Sequence, residues 1–108
     1  MRVFRVEDRK EPLVGTYTGS GVWSHLPTPQ NEGIDIEKHE VCACKDIKQF
    51  KLWWNLKNLN RMSAKYIVVE LEATIPRNKK GIKQVVINRN KSSIIATHSI
   101  PDFIEANY

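Results

Sequence analysis

Cysteine is nearly absent from this chain: Cys42 and Cys44 are the only two among 108 residues. Residues two apart on a strand share a face but aim poorly at one another, so an unstrained disulfide is excluded. A reduced, intracellular protein is the expectation that follows. Long hydrophobic runs are missing as well. No segment approaches the roughly 18 apolar residues that span a bilayer, so a transmembrane helix is excluded and no membrane partner is expected. The opening Met1-Arg2-Val3-Phe4-Arg5-Val6-Glu7-Asp8-Arg9 contains no apolar stretch of the kind a signal peptide needs. There is no P-loop, no G-x-G-x-x-G entering a helix and no G-x-S-x-G, so the common nucleotide and hydrolase signatures are absent. The length fits one domain and excludes an enzyme with a separate cofactor lobe, and no cofactor is expected.

What is present describes an ordinary globular protein. Hydrophobic residues make up 41% and charged residues 27%, enough apolar content to argue against disorder. A domain of this size can bury one core without metal or disulfide. The net charge of +5 is unevenly spread. Residues 1–44 hold five basic and seven acidic groups, residues 45–91 twelve basic and three acidic, and residues 92–108 only Asp102 and Glu105. A basic middle between acidic ends points to one positive face, either simply solvated or turned toward an anionic partner.

Periodicity outlines an α+β domain. Val3 to Glu7 alternates as an N-terminal strand. From Gly15 to Gly33 turn formers dominate, which predicts a long irregular loop carrying Tyr17, Trp23 and His25. Asp46-Ile47-Lys48-Gln49 matches a capping box, and Ile47, Phe50 and Trp54 follow at helical spacing, so a helix is expected at about 47–54. Asn55 marks a break before a short second turn with Leu56 and Leu59. Beyond Ser63 the period becomes two: Tyr66 to Ala73, Ile82 to Asn88 and Ser93 to Ile100 read as strands of an antiparallel β-meander. Pro101 to Tyr108 reads as a short tail whose Phe103, Ile104 and Tyr108 dock. One or two short helices and the meander complete a single small domain.

Three sets of residues offer chemistry. His39, Cys42 and Cys44 lie close together, but a zinc site draws four ligands, usually as two separated pairs. No metal is expected, and the thiols read as small buried hydrophobes. Trp53 and Trp54 beside Lys48, Lys51 and Lys57 have the composition of a single-strand nucleic-acid groove, where cations track phosphates and rings stack on bases. Helical neighbours lie about 100° apart, so at most one of these tryptophans is expected to face the core fully; the other is partly exposed or covered by the long loop. Arg77, Lys79, Lys80 and Lys83 form a second basic cluster at a hairpin tip, able to clamp phosphates or to serve as a soluble turn.

The order of several short motifs resembles a family of short, uncharacterised tailed-phage proteins. These are Phe4-Arg5-Val6-Glu7, Gly15-Thr16-Tyr17-x-Gly19, Trp23 with Pro27 and Pro29, Asn31-x-Gly33-Ile34, and Glu40-x-Cys42-Ala43 before the helix bearing Trp53-Trp54. Tyr66-x-Val68 and Gln84-Val85-Val86 follow, so the likeness runs over about residues 2–88. Members commonly have glycine where this chain has Ala43, and polar residues where it has helical lysines. A fainter likeness is to small ADP-ribosyltransferase-like domains, in which a first-strand arginine contacts the dinucleotide and a late-strand glutamate supports the transition state. Arg5 matches the former, but Lys83-Gln84-Val85-Val86-Ile87-Asn88 has no glutamate. That likeness implies a degenerate site that binds an ADP-ribose-type ligand or a protein without catalysis.

Three readings result. The phage resemblance and the basic segment lead to a non-enzymatic accessory protein that acts in the cytoplasm of the infected bacterium. It would bind, and by binding inhibit, an acidic host or anti-phage defence protein through Lys48, Lys51, Trp53, Trp54, Lys57, Arg77, Lys79, Lys80 and Lys83. The second is an ADP-ribosyltransferase-like domain that binds or transfers an NAD-derived nucleotide through Arg5, Tyr17, Trp23, His25 and Glu40. The third is single-stranded nucleic-acid binding by the same basic and tryptophan residues as the first.

Overall fold

The alternating first segment has apolar side chains on both faces, and the fold uses both. A computed structural model describes residues 1–10, 32–37 and 39–108. The elements run β1 (Arg2–Asp8), β2 (Glu40–Ala43), α1 (Ile47–Trp53), α2 (Leu56–Met62), β3 (Tyr66–Glu72), β4 (Val85–Asn88), β5 (Ser93–Ser99) and α3 (Ile100–Asn107). Single 3-10 turns occupy Arg77–Lys79 and Arg89–Lys91. The long loop predicted from Gly15, with Tyr17, Trp23 and His25, lies almost entirely outside the described residues.

The architecture is α+β with antiparallel sheets, as the sequence implies. β3 sits between β1 and β5, with Arg2 opposite Glu72 at one end of the β1–β3 pair and Asp8 opposite Tyr66 at the other. β2 and β4 form a separate two-stranded ribbon, Glu40 opposite Asn88 and Ala43 opposite Val85. Phe4 and Cys44 exchange two main-chain hydrogen bonds of 2.7 and 2.8 Å, which tie the end of β2 to β1.

The core has two parts because β1 and β3 are buried on both sides. Val6 and Val68, directly opposite each other, pack with Phe50, Leu59, Met62 and Phe103 of the three helices. Val3 and Leu71, also opposite, pack with Ala43, Val85 and Ile87 of the β2–β4 ribbon. The expected sequential meander is therefore corrected: β4 leaves the main sheet to cover its second face, and β5 takes the place beside β3. The run Val68-Val69 is the trace of this in the sequence, since a strand apolar on both faces needs cover on both.

Helix ends follow their caps. The Asp46 carboxylate accepts from the Gln49 N–H at 2.7 Å, and Asn55 accepts from Asn58 N–H at 2.8 Å, so the break at Asn55 is real. The tail after Ser99 is a helix rather than an irregular segment. The Ser99 hydroxyl caps it at 3.2 Å, Pro101 occupies the first turn where its missing N–H costs nothing, and Phe103 packs against Phe50 and Phe4 with ring centroids 4.8 and 5.9 Å away.

Candidate functional site

The basic residues are brought together by two bonds that involve no charge. Gln49 does not return its side chain to Asp46, as a capping box would. Its Oε1 accepts from the Lys45 N–H at 2.8 Å, and its Nε2 donates to the Ile82 carbonyl at 3.0 Å. One helical turn on, Trp53 Nε1 donates to the Lys83 carbonyl at 2.7 Å. The segment after the 77–79 turn is thus laid along α1, which sets Ile82 and Lys83 beside the helix that carries Lys48 and Lys51. Lys45, Lys48, Lys51 and Lys57 are exposed on the helical side, Lys80 and Lys83 on the other. Asp46 is the single acidic residue between positions 45 and 65, and its carboxylate is engaged as the cap.

These segments also expose apolar groups that the sequence reading missed. Ile82 is 86% exposed, and Leu52 and Leu56 at the α1–α2 junction are exposed too. Their positions in the chain gave no warning, because an exposed leucine in an amphipathic stretch looks like a core residue until the helix is placed.

Both tryptophans are buried, where at most one was expected to face the core fully. Trp53 is 8% and Trp54 2% exposed, so neither indole is a stacking platform for bases. The expectation of at most one core-facing ring assumed that both residues are helical. Trp54 is instead the C-cap, with φ −126° and ψ 114°, and the extended backbone there turns its ring inward beside Trp53. The Tyr108 hydroxyl donates to the Trp54 carbonyl at 2.6 Å and closes the same corner.

Lys79 also leaves the basic face. Its ammonium is buried, 3.0 Å from Glu40 Oε1 and 2.6 Å from the Asp35 carbonyl, so it holds loop 32–37 and β2 rather than a phosphate. Arg77 remains exposed on its 3-10 turn. Of the ligand candidates, Tyr17, Trp23 and His25 lie outside the described residues. Arg5 and Glu40 do not meet. Glu40 borders a hollow of about 320 Å³ with Thr74, Pro76, Asn88 and Lys91. Arg5 lines a smaller cavity of about 80 Å³ walled by Phe4, Phe50, Trp53, Trp54 and the two cysteines.

Arg5 belongs to a buried ionic triad. Its Nε donates to Glu7 Oε2 at 2.9 Å and its Nη1 to the Cys42 carbonyl at 2.8 Å. Arg89 grips the same carboxylate with Nε at 2.9 Å and Nη2 at 3.1 Å. Burial opposes ionisation of Glu7, but the bond from Arg89 and the charges of both guanidiniums outweigh it, so its carboxyl lies below the usual range. Burial lowers the Arg5 pKa, against the pull of Glu7. Burial pushes the Cys42 thiol up to about 11 and that of Cys44 higher still, so neither is a ready nucleophile. Arg5 is thus a structural cation, which removes the main support for a dinucleotide-binding first strand.

The order of motifs that pointed to a phage origin extends over nearly the whole fold. A model of the bacteriophage T4 Y00F protein family matches residues 1–101. The chain belongs to that family. The Y00F match takes in β1 to β5 and the start of α3, and so includes the basic residues 45–91 and the ionic triad. No curated protein and no solved structure matches the chain. No helix among the described residues of this Y00F-family protein is long and apolar enough to cross a membrane.

Proposed function

We propose that this phage protein is a non-enzymatic accessory factor that binds and inhibits an acidic host or anti-phage defence protein in the cytoplasm of the infected bacterium. The observation that supports the reading is the docking of the Ile82 and Lys83 carbonyls on Gln49 and Trp53, which sets exposed Ile82 and Lys83 beside the helix bearing exposed Lys48 and Leu52. Apolar side chains among cations suit a protein partner. The aliphatic groups supply the desolvated centre of an interface, and the lysines steer encounter with an acidic surface. A nucleic acid would meet the lysines alone, because both indoles are inside.

The test is affinity capture from infected cells followed by titration of the purified partner. The expected result is a complex of fixed stoichiometry, weakened by salt and by Lys48→Glu combined with Lys83→Glu, by about tenfold or more. A partner that binds the double reversal unchanged overturns the reading. So does salt-sensitive binding of single-stranded DNA or RNA through those lysines with no protein captured.

A further inference from the structure

Among the described residues, the outer strand of the main sheet carries no lysine, no proline and no further strand along its edge. β5 lies on the far side of β3 from β1, and no strand among the described residues adds to its other edge. Natural edge strands are blunted by lysine, proline or a covering element. Residues Ser93-Ile94-Ile95-Ala96-Thr97-His98-Ser99 contain no lysine, arginine, acid or proline. Its sole ionisable group, His98, is engaged with Glu70 of β3 at 2.6 Å. A bulge interrupts the β3 pairing, with Glu70 opposite Ala96 and Leu71 opposite Ile94, so that Ile95 is unmatched. Bulges often close an edge, yet here Ile94 remains 54% and Ile95 45% exposed.

The charges at the two ends of this strand are opposite. Exposed Lys91 lies just before it, while Arg89 is turned inward on Glu7, and no acidic residue falls between positions 73 and 101. Asp102 and Glu105 lie just after it on α3, both exposed, with no lysine or arginine from 92 onward. Two copies of β5 laid antiparallel about a twofold axis therefore set the basic end of each beside the acidic end of the other. Between those ends the paired edges are uncharged, so a molecule of net charge +5 meets its copy along a segment where that charge is absent. A parallel arrangement, or a strand from an unrelated acidic chain, would lack this reciprocal match.

We infer that the protein forms an isologous dimer by antiparallel β5–β5 pairing, joining two three-stranded sheets into one of six strands. The interface covers Ile94 and Ile95 and is independent of the proposed inhibition, since it uses none of the residues of the basic face.

Sedimentation equilibrium of the full chain from micromolar to millimolar concentration tests the pairing. The expected result is a reversible monomer–dimer equilibrium, abolished by Ile95→Lys and by Ile94→Lys separately, each variant melting within a few degrees of the parent. Lys91→Glu weakens the dimer by about tenfold, and Lys91→Glu with Asp102→Lys restores it. A monomer at every concentration overturns the proposal, as does a dimer indifferent to both isoleucine variants. A dimer lost with Ile95→Lys but unmoved by Lys91→Glu overturns the antiparallel arrangement.

Discussion

Arg89 and Glu7 stand 82 residues apart and meet through two parallel hydrogen bonds, Nε to Oε2 at 2.9 Å and Nη2 to Oε1 at 3.1 Å. The pair joins the 3-10 turn after β4 to the end of β1, and so fastens the ribbon over the second face of the main sheet. Arg5 shares the carboxylate from the same strand. One carboxylate between two guanidiniums leaves a net positive charge inside, held by the Cys42 carbonyl and by the Ser92 hydroxyl 3.3 Å from Arg89 Nη1.

Glu7→Gln is expected to destabilise the fold by about 3–5 kcal/mol, because it leaves two buried cations without their counterion. Equilibrium unfolding in urea measures this. Glu7→Leu combined with Arg89→Met is expected to cost clearly less than the two single changes added together, since the pair is removed with its desolvation penalty.

The acid limb of stability carries the same signature. The Glu7 carboxyl is depressed in the folded protein below its ordinary value of 4.5, so its contribution is complete above that pH and is lost as pH falls through the folded value. Glu40 is lowered too, chiefly by the Glu37 N–H and then by Lys79, and acts in the same direction. Melting temperature is expected to be level from neutral pH to about 4.5 and to fall below it. Glu7→Gln should lower the neutral plateau and flatten the acid decline.

Trp53→Phe keeps an aromatic ring in the core but removes the donor to the Lys83 carbonyl. A loss of about 1–3 kcal/mol is expected from the orphaned carbonyl and the smaller ring. Hydrogen exchange should quicken at residues 81–84 more than in β3. Equal acceleration across both would show that the indole bond does not specifically anchor the segment.

The thiols give a fourth test. With Cys42 raised to about 11 and Cys44 buried beside Phe4, alkylation by iodoacetamide at neutral pH is expected to be slow for the folded chain and complete for both in denaturant. Rapid labelling of native Cys42 would contradict the raised pKa of its half-buried thiol.

Local chemistry made the helices legible: Asp46 caps α1 as read, though without the return bond from Gln49, and the break read at Asn55 is there because Asn55 caps α2. The strands were legible one at a time, but not their partners. β4 and β5 have similar alternation, and only the need to cover a sheet apolar on both sides decides which of them stays beside β3. The basic segment was legible as charge and not as shape. Lys79 has the same sequence environment as Lys80, yet only Lys79 reaches Glu40 and goes inside. Nothing within a few residues of Glu7 or Arg89 announces their pairing, because it exists only after the ribbon closes.

The two bonds that fix segment 82–83 on α1 read main-chain carbonyls and no side chain at either position. Residues 82 and 83 can be exchanged for most others without altering what anchors them. Their chemistry is uncoupled from the folding of the domain. Exchanging isoleucine for an aromatic residue or lysine for an acid therefore changes this edge of the surface while Gln49 and Trp53 continue to hold the same backbone in the same place.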